Sequence, residues 1–213
     1  MEKMLKLKIL YQLKMLNEEY FEGFEKKISV EMPHNLKELQ NQVLNCHLCN
    51  LSKTRNKVVF GEGSPTAKMM FIGEAPGREE DIQGRPFVGA SGKMISDMIK
   101  NVFKMKREEI YIANIIKCRP PQNRNPEESE VASCIGYLFK QIEIIQPKLI
   151  LTFGRIAFQY LLDDNTPISK ARGKLYNYKG IKVIPTYHPS YLLRMPSKKR
   201  ETLQDLNFAK EFL

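Results

Sequence analysis

The chain alternates between two hydrophobic rhythms. Four short runs, Lys68–Ile72, Ile110–Ile116, Lys148–Phe153 and Ile181–Tyr187, are rich in Ile, Val, Phe or Tyr and show no clean in–out alternation. Strands buried on both faces of a parallel sheet read this way. Between them, at 89–104, 126–145 and 155–162, apolar positions recur at helical spacing. Another helix is predicted from Asn35 towards Cys46, opened by the capping-box pattern Asn35-Leu36-Lys37-Glu38. Asn125-Pro126-Glu127-Glu128 predicts an N-cap at Asn125 and a proline at the first helical position. Strand–helix alternation predicts an α/β fold, with a parallel sheet covered on both faces. Residues 1–33 differ: Leu5, Ile9, Leu10, Leu13, Leu16 and Tyr20 fall at helical spacing with Lys between them. They predict an N-terminal basic amphipathic helical extension, followed by one domain over 34–213. No internal repeat or long linker interrupts that domain.

Ligands of parallel α/β folds sit beyond the carboxyl ends of the strands. Here those ends carry Gly73–Gly77, Asn114–Cys118, Gly154 and His188-Pro189-Ser190. The turn Gly73-Glu74-Ala75-Pro76-Gly77 brings one acid, Glu74, to such an end, but matches neither nucleotide-binding glycine fingerprint. The stretch Thr186–Arg200 says more. His188 precedes a proline, which favours an extended backbone at the histidine. Leu192 and Leu193 follow Ser190 and Tyr191, and then come Arg194, Lys198, Lys199 and Arg200. An apolar wedge beside cations suits a protein that parts base steps while gripping phosphates. A short amphipathic helix with its leucines packed inward fits the same letters.

Charge supports the nucleic-acid reading. Lys plus Arg outnumber Asp plus Glu by 34 to 24, for a net charge of +10, which favours a polyanionic partner. A lysine-rich proteome would produce the same excess without one. A hydrophobic content of 42% marks a globular chain. No apolar run reaches bilayer length and no secretory pattern opens the sequence, so no membrane partner and a cytoplasmic location are expected.

Four cysteines remain: Cys46 and Cys49 in a C-x2-C pair, then Cys118 and Cys134. Disulfides are rare in the cytosol, so the set suggests a metal site. Four thiolates suit Zn or an iron–sulfur cluster, and spacing does not choose between them. Cys118 and Cys134 could also be ordinary buried thiols. Of the histidines, His34 and His47 look incidental.

In this order and spacing, "CHLC", "FIGEAPGREEDIQGRPFVGASG", "YIANIIKCRPPQNRNP", the later Cys134 and "HPSYLL" resemble the family 4 uracil-DNA glycosylases. The resemblance spans about residues 40–205. It implies a three-layer α/β/α sandwich with a central four-stranded parallel sheet, and a [4Fe–4S] cluster on Cys46, Cys49, Cys118 and Cys134. It implies a monofunctional, monomeric enzyme that flips uracil out of single- or double-stranded DNA and hydrolyses its N-glycosidic bond. In this reading Phe87 stacks on the uracil, Asn114 reads its edge, and His188 stabilises the leaving group. Gly73, Glu74 and Ala75 line the pocket. Ser190, Tyr191, Leu192, Leu193, Arg194, Lys198, Lys199 and Arg200 hold the DNA, with one of the two leucines filling the gap in the stack. Ala75 stands where better-known uracil glycosylases carry a water-positioning Asp, so Glu74 is expected to shape the pocket more than to activate water. The Arg-rich, histidine-containing insertion of covalently linking relatives is missing from "SKARGKLY". A sliding-clamp-type partner is not identified by any motif. Competing readings are a non-catalytic metal-stapled nucleic-acid-binding module, a phosphate-ester or nucleotide enzyme, and a superfamily member with altered base preference.

Overall fold

The computed structural model describes residues 33–213. The amphipathic extension expected at 1–33 therefore lies outside the described residues, save its last position. The elements run α1 (Leu36–Leu44), β1 (Glu62–Gly63), β2 (Met69–Gly73), α2 (Arg78–Gln83), α3 (Gly89–Met98), β3 (Tyr111–Asn114), α4 (Glu128–Ile145), β4 (Leu149–Phe153), α5 (Arg155–Leu162), α6 (Ile168–Ala171), β5 (Tyr176–Tyr178), β6 (Ile181–Thr186), α7 (Pro189–Arg194) and α8 (Lys199–Lys210). The sheet order is β1-β3-β2-β4-β6-β5. The inner four strands pair in parallel and are the four predicted runs. The outer two pair antiparallel, extending the expected four-stranded sheet to six. Two- and three-residue edge strands are too short to leave a periodic signal.

Neighbouring residues of each inner strand point to opposite faces, and both faces are apolar. Met70, Ile72, Ala113, Ile150 and Val183 pack with Leu39 and Val43 of α1, Leu138 and Ile142 of α4, and Leu161 of α5. Met69, Phe71, Ile112, Leu151 and Ile184 pack with Ile95 of α3 and with Leu206 and Ala209 of α8. Each buried Leu, Ile, Val, Met or Phe among them contributes roughly 1.5–3 kcal/mol. The result is the predicted α/β/α sandwich. No helix among the described residues is long and apolar enough to cross a membrane.

Local starts and stops follow the sequence with one correction. Asn35 caps α1 as predicted: its Oδ1 accepts the Glu38 N–H at 3.0 Å, and its Nδ2 donates to Glu38 Oε1 at 2.8 Å. The cap of α4 is Glu127, not Asn125. Glu130 accepts the Glu127 N–H at 2.8 Å and is gripped by Arg124 at 2.7 and 2.9 Å. That pairing makes Glu127 and Glu130 the capping box, so the helix starts later than the proline suggests. The α3 helix runs on through a wider π turn, Ile99–Phe103, and stops at Lys104 in the left-handed region, φ +58°. Three helices, α2, α6 and α8, lie beyond the predicted set, and α7 is the short helix that was one of two readings of its residues. The signal for α8 was present, since Thr202, Asp205, Leu206 and Ala209 share one buried face.

Candidate active site

The parallel register brings the strand-end residues together. Gly73, last of β2, is paired with Asn114, last of β3. The two backbones stay in step beyond the strands, for Gly73 O accepts Ile115 N–H and Glu74 O accepts Ile116 N–H. Only glycine fits at 73. A Cβ there would stand 2.4 Å from Asn114 Oδ1 and 2.6 Å from a Phe87 ring carbon. Gly73 is thus the point over which the Asn114 amide and the Phe87 ring meet.

Phe87 lies in the loop between α2 and α3, with φ +46°. That conformation is unfavourable for a bulky side chain and persists only where the surroundings impose it. Gly92 makes room for it, because a Cβ there would meet the Phe87 carbonyl oxygen at 1.9 Å. The Phe87 ring, 6% exposed, packs edge-on to Phe153 with centroids 6.1 Å apart. It faces the His188 imidazole at 5.8 Å and 32°.

His188 caps α7 with extended backbone, φ −68° and ψ 139°. Its Nδ1 accepts the Ser190 N–H at 3.1 Å and lies 2.8 Å from Ser190 Oγ. Accepting a backbone N–H leaves Nδ1 bare and places the proton of the neutral ring on Nε2. Burial, helped by the positive charge of Arg194, lowers the His188 pKa to about 4. Near pH 7 the ring is a neutral donor through Nε2. Glu74, half-buried, has its carboxyl raised above the usual range by burial, with Arg155 pulling the other way.

The segment after His188 divides sharply. Leu192 is fully buried while Leu193 is 44% exposed. Of the two leucines, Leu193 is the one that presents its side chain to solvent. The exposed leucine lines an open groove of about 410 Å³ with Met94, Leu203 and Lys199. Ser190 is engaged with His188, and Tyr191 packs on Tyr187 with centroids 5.1 Å apart. Lys198 is paired with Glu201 at 2.6 Å, whereas Arg194, Lys199 and Arg200 are exposed.

On the α1 and α4 side, Cys46, Cys49, Cys118 and Cys134 line one small cavity, together with Arg55, Lys117 and Tyr137. Cys46 follows α1 closely, Cys49 precedes a short 3-10 turn, Cys118 leaves the β3 end and Cys134 sits in α4. None of the four is in a disulfide. Among the described residues, no three His, Cys, Asp or Glu side chains gather closely enough to chelate a single ion. Burial raises the Cys118 pKa to about 11, although Arg55 Nη1 donates to its Sγ at 3.2 Å. Burial also pushes the Cys134 thiol up, with Lys117 opposing.

Lys117 was not anticipated. It is 1% exposed, and burial lowers its pKa to about 7, the sulfurs of Cys134 and Cys118 working against the shift. The only trace of it in the sequence is a cation directly following the apolar Ile115-Ile116.

Residues 60–207 match the model of the Uracil DNA glycosylase superfamily. The chain is 43% identical over 185 residues to the type-4 uracil-DNA glycosylase of Sulfurisphaera tokodaii, covering 83% of this chain and 84% of that one. It is 42% identical to the type-4 uracil-DNA glycosylase of Thermotoga maritima, covering 82% of this chain and 93% of that one. For the type-4 enzyme of Archaeoglobus fulgidus the identity is 40%, with coverage of 80% and 89%. An α/β/α sandwich with a polar and aromatic cluster at its strand ends is the class that fold and site define. The chain belongs to the uracil-DNA glycosylase superfamily.

Proposed function

We propose that this chain is a monofunctional uracil-DNA glycosylase of base excision repair, with residues 34–213 as its catalytic domain. The observation that carries this reading is the convergence over Gly73 of the Asn114 amide and the Phe87 ring, with a neutral His188 facing that ring. Uracil in duplex DNA is out of reach of these groups, so the base must be flipped to meet them. Phe87 then supplies a stacking surface, worth about 1–3 kcal/mol per base. The Asn114 amide offers a donor to O4 and an acceptor to N3–H. Cytosine presents the opposite pattern and would leave buried groups unpaired.

As the N-glycosidic bond breaks, its electron pair moves into the base and charge builds on uracil O2. The Nε2–H of His188 stabilises that charge, the kind of leaving-group assistance that polar donors give best in a dry site. The sugar becomes cation-like, water adds to its anomeric carbon, and free uracil and an abasic site are the products. Ala75 has no group to orient that water. Glu74 lines the pocket, its carbonyl oxygen held by the Ile116 N–H. Leu193 is the residue assigned to the emptied place in the stack, with Arg194, Lys199 and Arg200 on the phosphates.

The cysteine quartet is assigned to a [4Fe–4S] cluster. Four soft donors around one cavity fit it, and a multi-iron cluster spreads its thiolates farther apart than a single ion does. When bound, the cluster would tie the Cys46–Cys49 segment to the Cys118 loop and to α4. Protons must leave the thiols as it binds.

Release of uracil from a panel of single- and double-stranded oligonucleotides tests the assignment. Uracil should be removed, while thymine, cytosine and hypoxanthine remain. An inactive protein that still binds DNA would favour the metal-stapled binding module instead, and preferred release of another base would mark an altered specificity.

A further inference from the structure

The strand end that carries Asn114 is held from behind by a buried lysine. Lys117 Nζ turns back along its own chain and donates to the Asn114 carbonyl oxygen at 2.9 Å. The same Nζ donates to Gln141 Oε1 on α4 at 2.6 Å. Gln141 in turn donates through Nε2 to Phe60 O at 2.9 Å and to the Tyr111 hydroxyl at 3.0 Å. Tyr111 opens β3, the strand that Asn114 closes. Both ends of β3 are thus fixed by one buried amide, with Lys117 as the link to the functional end.

The lysine backbone faces the other site. Lys117 N–H donates to Cys134 Sγ at 3.3 Å, and Lys117 O accepts the Val59 N–H at 2.8 Å. The residue after it is Cys118 itself. One residue therefore touches Asn114 through its side chain and the cysteine cavity through its backbone.

We infer that Lys117 is a positioning residue for uracil recognition, setting the Asn114 amide through the Asn114 carbonyl and linking that setting to the cysteine site. The inference rests on Asn114 being the group that reads the uracil edge. Its chemistry is that of outer-shell support: a group that never touches the substrate fixes the one that does, and its loss loosens the pocket without removing any contact. A loosened Asn114 binds the flipped base less well, while the grip on the DNA backbone, made by Arg194, Lys199 and Arg200, is untouched.

The test compares Lys117→Met, which keeps the length and apolar stem of the side chain but removes its donors, with the parent protein. Single-turnover uracil release per folded molecule should fall about 10- to 100-fold, a usual range for outer-shell substitutions. Inhibition by free uracil should weaken in parallel, while affinity for uracil-free DNA stays within about twofold. A purely structural role would lower the folded fraction and the melting temperature but leave rate and uracil inhibition per folded molecule unchanged, and that result would overturn the inference. Gln141→Leu leaves Lys117 in place and removes its outer anchor. The same split, at smaller amplitude, is expected there. Unchanged uracil inhibition in Gln141→Leu would overturn the inference even if Lys117→Met failed to fold. Asn114→Ala separates the two layers. Full activity in that variant sinks the assignment of Asn114 itself. Loss of activity in Asn114→Ala beside an unimpaired Lys117→Met removes only the role of Lys117.

Discussion

The two centres of this molecule lie on either side of the segment Asn114–Cys118 and are built on opposite terms. The strand-end pocket is completed by the chain alone. Gly73 leaves room for Asn114 and Phe87 to meet, Gly92 lets Phe87 hold a costly backbone angle, and Ser190 sets the His188 tautomer. The cysteine site is not completed that way. Burial raises the pKa of its Cys118 and Cys134 thiols, and two of its four cysteines come from a short stretch before the first strand. A preorganised site commits folding energy to geometry, whereas under the proposed cluster assignment the cysteine site gains its purpose from the bound group. The difference predicts that damage to the pocket appears in the rate, and damage to the quartet appears in stability.

The sharpest break should come at the pocket. His188→Ala and Asn114→Ala should each lower uracil release about 10²–10³-fold, the usual loss for one donor at a developing charge. The melting temperature and the absorbance near about 400 nm expected of an iron–sulfur protein should be retained. A matching loss of melting temperature would erase the contrast between the centres. Cys134→Ser should do the reverse, abolishing that absorbance and destabilising the fold by several kcal/mol, about the loss seen on removing a structural cross-link. Denaturant titration checks it, and zinc in place of iron in the purified parent would refute the cluster. Phe87→Ala should slow release by about 10- to 100-fold, the equivalent of one lost stacking contact. Leu193→Ala should act more mildly, and on duplex substrate more than on single strands, whereas an equal effect on both would remove the wedge role.

The smallest effect is a pH signature. His188 titrates near 4 in the folded protein and near 6.5 once unfolded. As pH falls through that window the unfolded chain takes up the proton first, so stability is lost on acidification and fully present above the upper value. The loss attributable to His188 at pH 5 is on the order of 1–2 kcal/mol. Comparing parent and His188→Ala by urea unfolding at pH 7 and pH 5 isolates it. Equal pH dependence in the two proteins would place the His188 pKa near its ordinary value.

The sequence reading and the structure agree where periodicity is strong. The four inner strands and the helices at 36–44, 89–103, 128–145 and 155–162 were legible because burial on two faces or on one stripe dictates composition. Edge strands of two and three residues left no such trace. The strand-end positions of Gly73, Asn114 and His188 followed from topology, and the loop position of Phe87 from its flanking Pro86 and Gly89. What stayed hidden depends on who touches whom. Lys117 reads as a surface cation until α4 folds over it and Gln141 meets its ammonium group. Leu192 and Leu193 are the same letter twice, and only the direction of α7 separates a core residue from an exposed one. The α4 cap misled because Pro126 is an obvious signal, while the Arg124–Glu130 grip that decides the start forms only in three dimensions.

Cys49 and Cys118 stand about 70 residues apart in the chain, with β1, β2, α2, α3 and β3 between them. A group bound to both would therefore be a covalent staple across a long loop, removing disorder from the unfolded chain more than adding contacts to the folded one. For a loop of that length the chain-entropy model gives about 4 kcal/mol. That is a large share of the margin by which a domain of this size stays folded, about 5–15 kcal/mol. On that view the loop carrying Glu74 and Phe87 owes its persistence to two cysteines that lie outside it.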